Sequence, residues 1–272
     1  MSTQTVTTVK AGDNPDLVNQ MVAQSLAEKP GDKSVTILHP SDTVVMLPGG
    51  YVTPAGEVIR EVEVRELNGK DEEAIARATN VGKALLIILS RGVVRIGEEP
   101  ATEAMLDSLL AGDRDFLMIA IYKATFGNTA ILQGICPEDN TFKEVEINID
   151  EDVQIKAILD VYQRVFTVDC KVGPVEIALP TGHTQKDLVN NADKTVAELT
   201  TILLENCVNT INGSPVIGKA QVQNLGLNDR KKIAVAINSR NFGPVFDDIK
   251  VDCPDCDSEV LVPLNLGTLF RF

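Results

Sequence analysis

Residues 84–93 read ALLIILSRGV and residues 199–208 read LTTILLENCV, and laying one run over the other decides the fold. Ile87 falls on Ile202, Leu89 on Leu204 and Val93 on Val208, an offset of 115 residues. Ile96 and Pro100 fall on Ile211 and Pro215 at the same offset, so the loop after the helix is shared as well. Further on, Asp113-Arg114 opens an apolar run ending Phe126-Gly127, and Asp229-Arg230 opens another ending Phe242-Gly243, now 116 apart. Cys136-Pro137 and Cys253-Pro254 each lead a strand-like stretch, 117 apart, while Gly69 and Gly182 precede matching helical patterns 113 apart. The drift falls at connections, where insertions are tolerated. Self-similarity of this kind is the mark of a repeated structural unit.

Each unit reads alike. A strand or hairpin comes first, over residues 43–47 and 57–66 in the first copy and 165–179 in the second. Val58, Val62 and Val64 alternate with charged partners, and Pro48-Gly49-Gly50, Pro54-Ala55-Gly56 and Gly173-Pro174 supply the turns. A long helix is expected over 71–90 and over 184–206, with Asp71 and Thr184 as N-caps. A short helix over 102–110 ends at Gly112. Asp113 and Asp229 then cap a helix with apolar residues at helical spacing, closed by Gly127 and Gly243. A closing strand or hairpin includes 143–149 and 259–264. The expectation is α+β: two tandem diverged repeats, each a small antiparallel sheet or hairpin with about three helices. Residues 1–35 read as an arm, 36–152 as the first repeat, and 153–272 as the second, ending in a Cys-x-x-Cys hairpin.

Composition narrows the function. The 272 residues carry a formal net charge of −14, which argues against nucleic acid, since a phosphate backbone calls for clustered Lys and Arg. No apolar run approaches a membrane span, as Lys83 and Arg91 bound the strongest candidate. The Thr-rich residues 1–10 do not read as a secretion signal.

Three stretches carry a resemblance: EVEVRELNGKDEEAIARA (residues 61–78), GVVRIGEEPATEAMLDSLLAGDRDFLMIAIYKATFG (92–127) and FGPVFDDIKVDCPDCDSEVLVPLN (242–265). Together they resemble the T4-type baseplate hub and assembly proteins of contractile-tailed phages and related injection particles. RELNGKDEEA also resembles the opening of phage tail assembly chaperones. The resemblance implies a virion tail or baseplate component, present in host cytoplasm during assembly. It would act by contact with other tail or baseplate proteins and without a small-molecule substrate. The alternatives are a transient tail assembly chaperone and a zinc-knuckle interaction module.

Candidate sites are few. Five cysteines, an odd number, favour free thiols or a metal knuckle over a disulfide framework. Cys253-x-x-Cys256 can place two thiolates at adjacent corners of a tetrahedral zinc, with Cys136 or Cys207 as the next ligand to consider. The first copy reads Cys136-Pro137-Glu138-Asp139 at that place, so the paired thiol is expected to be lost there. No cofactor is otherwise expected. His183 heads a helix without a companion nucleophile, and Asp71, Glu72 and Glu73 suit the positive end of a helix. Gly49-Gly50 lacks the Lys-Ser/Thr of a phosphate loop. No residue is nominated as catalytic, and the chain is expected not to be an enzyme.

Overall fold

The computed structural model describes residues 43–256 and 258–271, all within one compact unit. The arm expected over residues 1–35 lies outside the described residues.

Strands β1 (Val44–Val52) and β2 (Val58–Val64) form an antiparallel hairpin. Helices α1 (Gly69–Ala76) and α2 (Val81–Gly92) follow, then β3 (Val93–Ile96) and β4 (Glu99–Pro100), which complete a four-stranded sheet in the order β1-β2-β3-β4. Next come α3 (Glu103–Ser108) and α4 (Ala111–Phe126), then the hairpin β5 (Thr129–Ile135) and β6 (Phe142–Asn148). A bridge of α5 (Ile149–Asp152) and β7 (Ile155–Lys156) leads into β8 (Val165–Cys170) and β9 (Gly173–Ala178). Helices α6 (Gly182–Asn190) and α7 (Val196–Cys207) precede β10 (Val208–Ile211) and β11 (Ser214–Pro215), in a sheet ordered β11-β10-β9-β8. The chain ends with α8 (Lys219–Gln223), α9 (Leu227–Ser239), β12 (Gly243–Pro244), the hairpin β13 (Asp248–Asp252) and β14 (Glu259–Pro263), and α10 (Leu266–Leu269).

Register follows side-chain alternation. Val62 and Val64 turn inward opposite Ile96 and Val93, with a bulge between the pairs. Val175 and Ile177 turn inward opposite Ile211 and Val208, again around a bulge. A period of two keeps each hydrophobic set on the helix-covered face.

The long helices expected over 71–90 and 184–206 are each two helices. Asn80 accepts from Lys83 N–H at 2.8 Å, and Thr195 forms a capping box with Glu198, so each chain restarts its helix there. The caps of the first helices are Asn68 and Thr181, with Asp71 and Thr184 three residues inside, each reaching back to the cap's own N–H. Asp113 and Asp229 are likewise not caps. They sit in the first turns of α4 and α9, behind Leu110 and Gly226, and their carboxylates reach across to a hairpin. Asp113 accepts from Gly49 N–H at 2.7 Å. Asp229 accepts from Lys171 and Val172 N–H at 2.9 and 3.2 Å. These carboxylates tie hairpin to helix, and at Gly49 the donor would otherwise be buried unpaired. Gly127 closes α4, with its N–H on Lys123 O, but α9 ends earlier, at Ser239, and Gly243 lies instead in β12.

Three apolar clusters result. One packs β1–β3 on α2 and α4 around Ile88 and Leu117; another packs β8–β10 on α7 and α9 around Leu204 and Ile233. The third lies beneath a sheet ordered β13-β14-β5-β6, in which the closing hairpins of both halves join over Ile119 and Tyr122. The halves also interlock directly. Ala111 N–H donates to Pro180 O, Gly182 N–H donates to Leu109 O, and Arg164 reaches the carbonyls of Gly49 and Gly50.

Asp115, on α4, is partly buried, and burial pushes its carboxyl up to about 6 despite a hydrogen bond from Gln185. A carboxyl raised above its unfolded value destabilises the folded state when ionised, so the cost is present above about pH 6 and disappears as pH falls below the unfolded value. Asp115→Asn is therefore expected to stabilise the protein by about 2 kcal/mol at pH 8, with little difference near pH 4. Urea titrations at both pH values measure it.

Candidate metal centre

The joined sheet brings two turns face to face. Cys136 follows β5, where its N–H donates to Thr141 O at 3.0 Å; Cys253 follows β13, where its N–H donates to Ser258 O at 2.9 Å. Both turns tuck the leading sulfur beneath backbone N–H groups, those of Glu138 and Asp139 for Cys136 and those of Asp255 and Cys256 for Cys253. Prolines 137 and 254 suit these turns, because each enters a bend with φ already set.

The result is a cluster of three thiols. Cys136 Sγ lies 3.6 Å from Cys256 Sγ and 3.7 Å from Cys253 Sγ, and all three sulfurs are within 4.8 Å of one another. Cys136 is fully buried and Cys253 is nearly so. Ser258 Oγ closes the fourth side, 2.9 Å from Cys256 Sγ and 3.4 Å from Cys136 Sγ. Lys143 spans the two turns, with Nζ 2.6 Å from Asp255 and 2.9 Å from Asp139.

Electrostatics favours one thiolate here near neutral pH. The hydrogen bond from Ser258, then the N–H of Asp139, brings the Cys136 thiol down to about 7. At Cys253 the N–H of Asp255 pulls the other way, but burial and the neighbouring thiols of Cys256 and Cys136 outweigh it and push the thiol up. Once the first proton leaves, the next comes off against a negative sulfur.

Of the residues read as ligands, the structure gathers Cys253, Cys256 and Cys136. Cys207 is not gathered with them: it ends α7 inside the second apolar cluster, where burial pushes its thiol up to about 12. The first half lacks the second thiol, with Asp139 in its place, and its one remaining sulfur faces the Cys253–Cys256 pair. Ser258, Lys143 and Asp139 were missed as neighbours of the site. The alignment of CPED on CPDC, 117 residues apart, is the signal that held them. His183 is exposed, 3.8 Å from Asp187. Asp71 is bound by Arg65 at 2.7 Å, and Gly49 gives its N–H to Asp113.

Comparison with known proteins supplies first the class and then the family. The class is that of phage structural proteins: residues 47–180 match the family described as T4 bacteriophage base plate protein. Over this segment, from β1 to the residue before α6's cap, the chain is similar to the T4-type phage baseplate proteins, as its 61–78 and 92–127 stretches imply. The 242–265 stretch lies outside the matched residues. No curated protein and no solved structure matches the chain. No helix among the described residues is long and apolar enough to cross a membrane.

Proposed function

We propose that this chain is a non-enzymatic part of a contractile-type tail baseplate, built from one α+β unit present twice and acting through contacts with other tail proteins. The match of residues 47–180 to the baseplate family carries the reading.

Residue-level coincidences support the duplication. Arg114 Nη1 donates to Leu106 O and Arg230 Nη1 to Val222 O, each eight residues back. Asp113 and Asp229 bind the opening hairpin of their own half, and the bulged pairings of β2 with β3 and of β9 with β10 fall at corresponding positions. Two related surfaces on one rigid body suit a subunit that bridges neighbours.

The joined sheet offers a contact face. Leu261, Ile135 and Phe142 sit opposite one another across β14, β5 and β6, and are 53%, 49% and 74% exposed. Such a row of outward apolar side chains is suited to burial against another protein. Phe142→Glu combined with Leu261→Glu is expected to leave the melting temperature near wild type while cutting incorporation into particles at least tenfold. Quantitative mass spectrometry of purified particles measures it, and unchanged incorporation removes this face from the proposal. The same measurement on wild-type particles tests the role itself. A fixed copy number marks a resident part, whereas presence only in assembly intermediates marks a chaperone, the reading favoured by RELNGKDEEA.

A further inference from the structure

We infer that Cys136, Cys253 and Cys256 hold one zinc ion, which staples the closing hairpin of the first half to that of the second. The argument begins with spacing. Zinc sits about 2.3 Å from a thiolate in tetrahedral geometry, which sets sulfur–sulfur separations of about 3.8 Å. The separations from Cys136 are 3.6 and 3.7 Å, and the third pair lies within 4.8 Å.

The turns add a second, independent observation. Backbone N–H groups of Glu138 and Asp139 point at the Cys136 sulfur, and those of Asp255 and Cys256 at the Cys253 sulfur. Such donors hold a metal thiolate in place and reduce its charge, as outer groups do around metal ligands. Lys143, bound to Asp139 and Asp255, fixes one turn against the other. The fourth corner falls beside Ser258 Oγ and is left to a solvent oxygen. Three soft ligands in this arrangement select zinc over the hard cations. As the metal binds, each thiol releases its proton to solvent.

The location gives the ion a task. Strand β14 meets β5 through one register pair, Leu261 with Ile135, whereas β5 and β6 pair along their whole length. A metal beside this seam would hold the two hairpins where hydrogen bonding is sparse. The apolar row proposed for contact crosses the same seam.

The test uses the full-length chain, reduced and purified without chelator, and is independent of particle assembly. Elemental analysis is expected to find about one zinc per chain, and cobalt substitution to give the visible bands of tetrahedral thiolate coordination. Cys253→Ser is expected to abolish stoichiometric zinc, and Cys207→Ala to retain it. Chelation of the wild-type protein is expected to lower its melting temperature by about 5–10 °C, reversed by added zinc. The chelation arm stands even if the Cys253 variant fails to fold. A folded wild-type protein that takes up no zinc, while its five cysteines count as free thiols after denaturation, overturns the inference. So does a disulfide mapped between any two of the three cysteines.

Discussion

Gly112→Val is expected to cost at least about 4 kcal/mol and to prevent accumulation of folded protein at 37 °C. Gly112 lies in the first turn of α4, and a Cβ there would stand 2.2 Å from the carbonyl oxygen of Phe242 and 2.8 Å from its carbon. Both are backbone atoms and cannot swing away. Their segment is also held from the other side, because β12 pairs with β7 through Gly243 with Lys156 and Pro244 with Ile155. Gly243 itself has φ +89 and meets Gly112 so closely that its own Cβ would stand 2.4 Å from the Gly112 oxygen. The two glycines therefore let the halves of the molecule touch backbone to backbone. Gly69→Ala is the control: a Cβ at Gly69 meets nothing within 4 Å, and the change should be neutral or slightly stabilising. Thermal unfolding of both variants measures the contrast. A Gly112→Val protein melting within about 3 °C of wild type would show that this seam is not packed as described.

Arg114→Met should cost about 3 kcal/mol, and Arg230→Met about 1 kcal/mol, although the two arginines do the same job. Each caps the last turn of the short helix before its own, where backbone carbonyls lack partners. Arg114 Nη1 donates to Leu106 O at 2.6 Å with Asp107 Oδ1 at 3.4 Å, and the side chain is 4% exposed. Its replacement would leave a buried carbonyl unsatisfied. Arg230 donates to Val222 O and to Thr201 Oγ1, both at 2.8 Å, but is only partly buried, so water can take over. The cost at Arg114 is moderated by its Nε, which is buried without a hydrogen-bond partner. Urea unfolding of the two variants gives the difference, and equal costs would mean that burial does not set it.

Much of the candidate site was written locally and misread only in its partners. CPDC at 253–256 shows its two thiols by spacing alone, and CPED at 136–139 shows the same turn with one thiol replaced. Cys136 and Cys207 cannot be ranked as the third ligand from spacing. Only the joining of β5 to β14 carries Cys136 to the pair, while the packing of α7 carries Cys207 into an apolar cluster. The split of each long helix had a local signal in Asn80 and Thr195, but an apolar pattern that continues on both sides of a cap hides it.

By itself, the sequence determined the α+β class, the order of most helices and turns, and the inward face of β2. These depend on periodicity, caps and glycines, which act over a few residues. Tertiary structure alone decided that Asp113 and Asp229 bind hairpins instead of capping helices, that the two closing hairpins form one sheet, and that three sulfurs converge. Those side-chain contacts join residues 57 to 120 positions apart. Which distant backbone groups meet is set by how whole elements pack, and no local pattern encodes it.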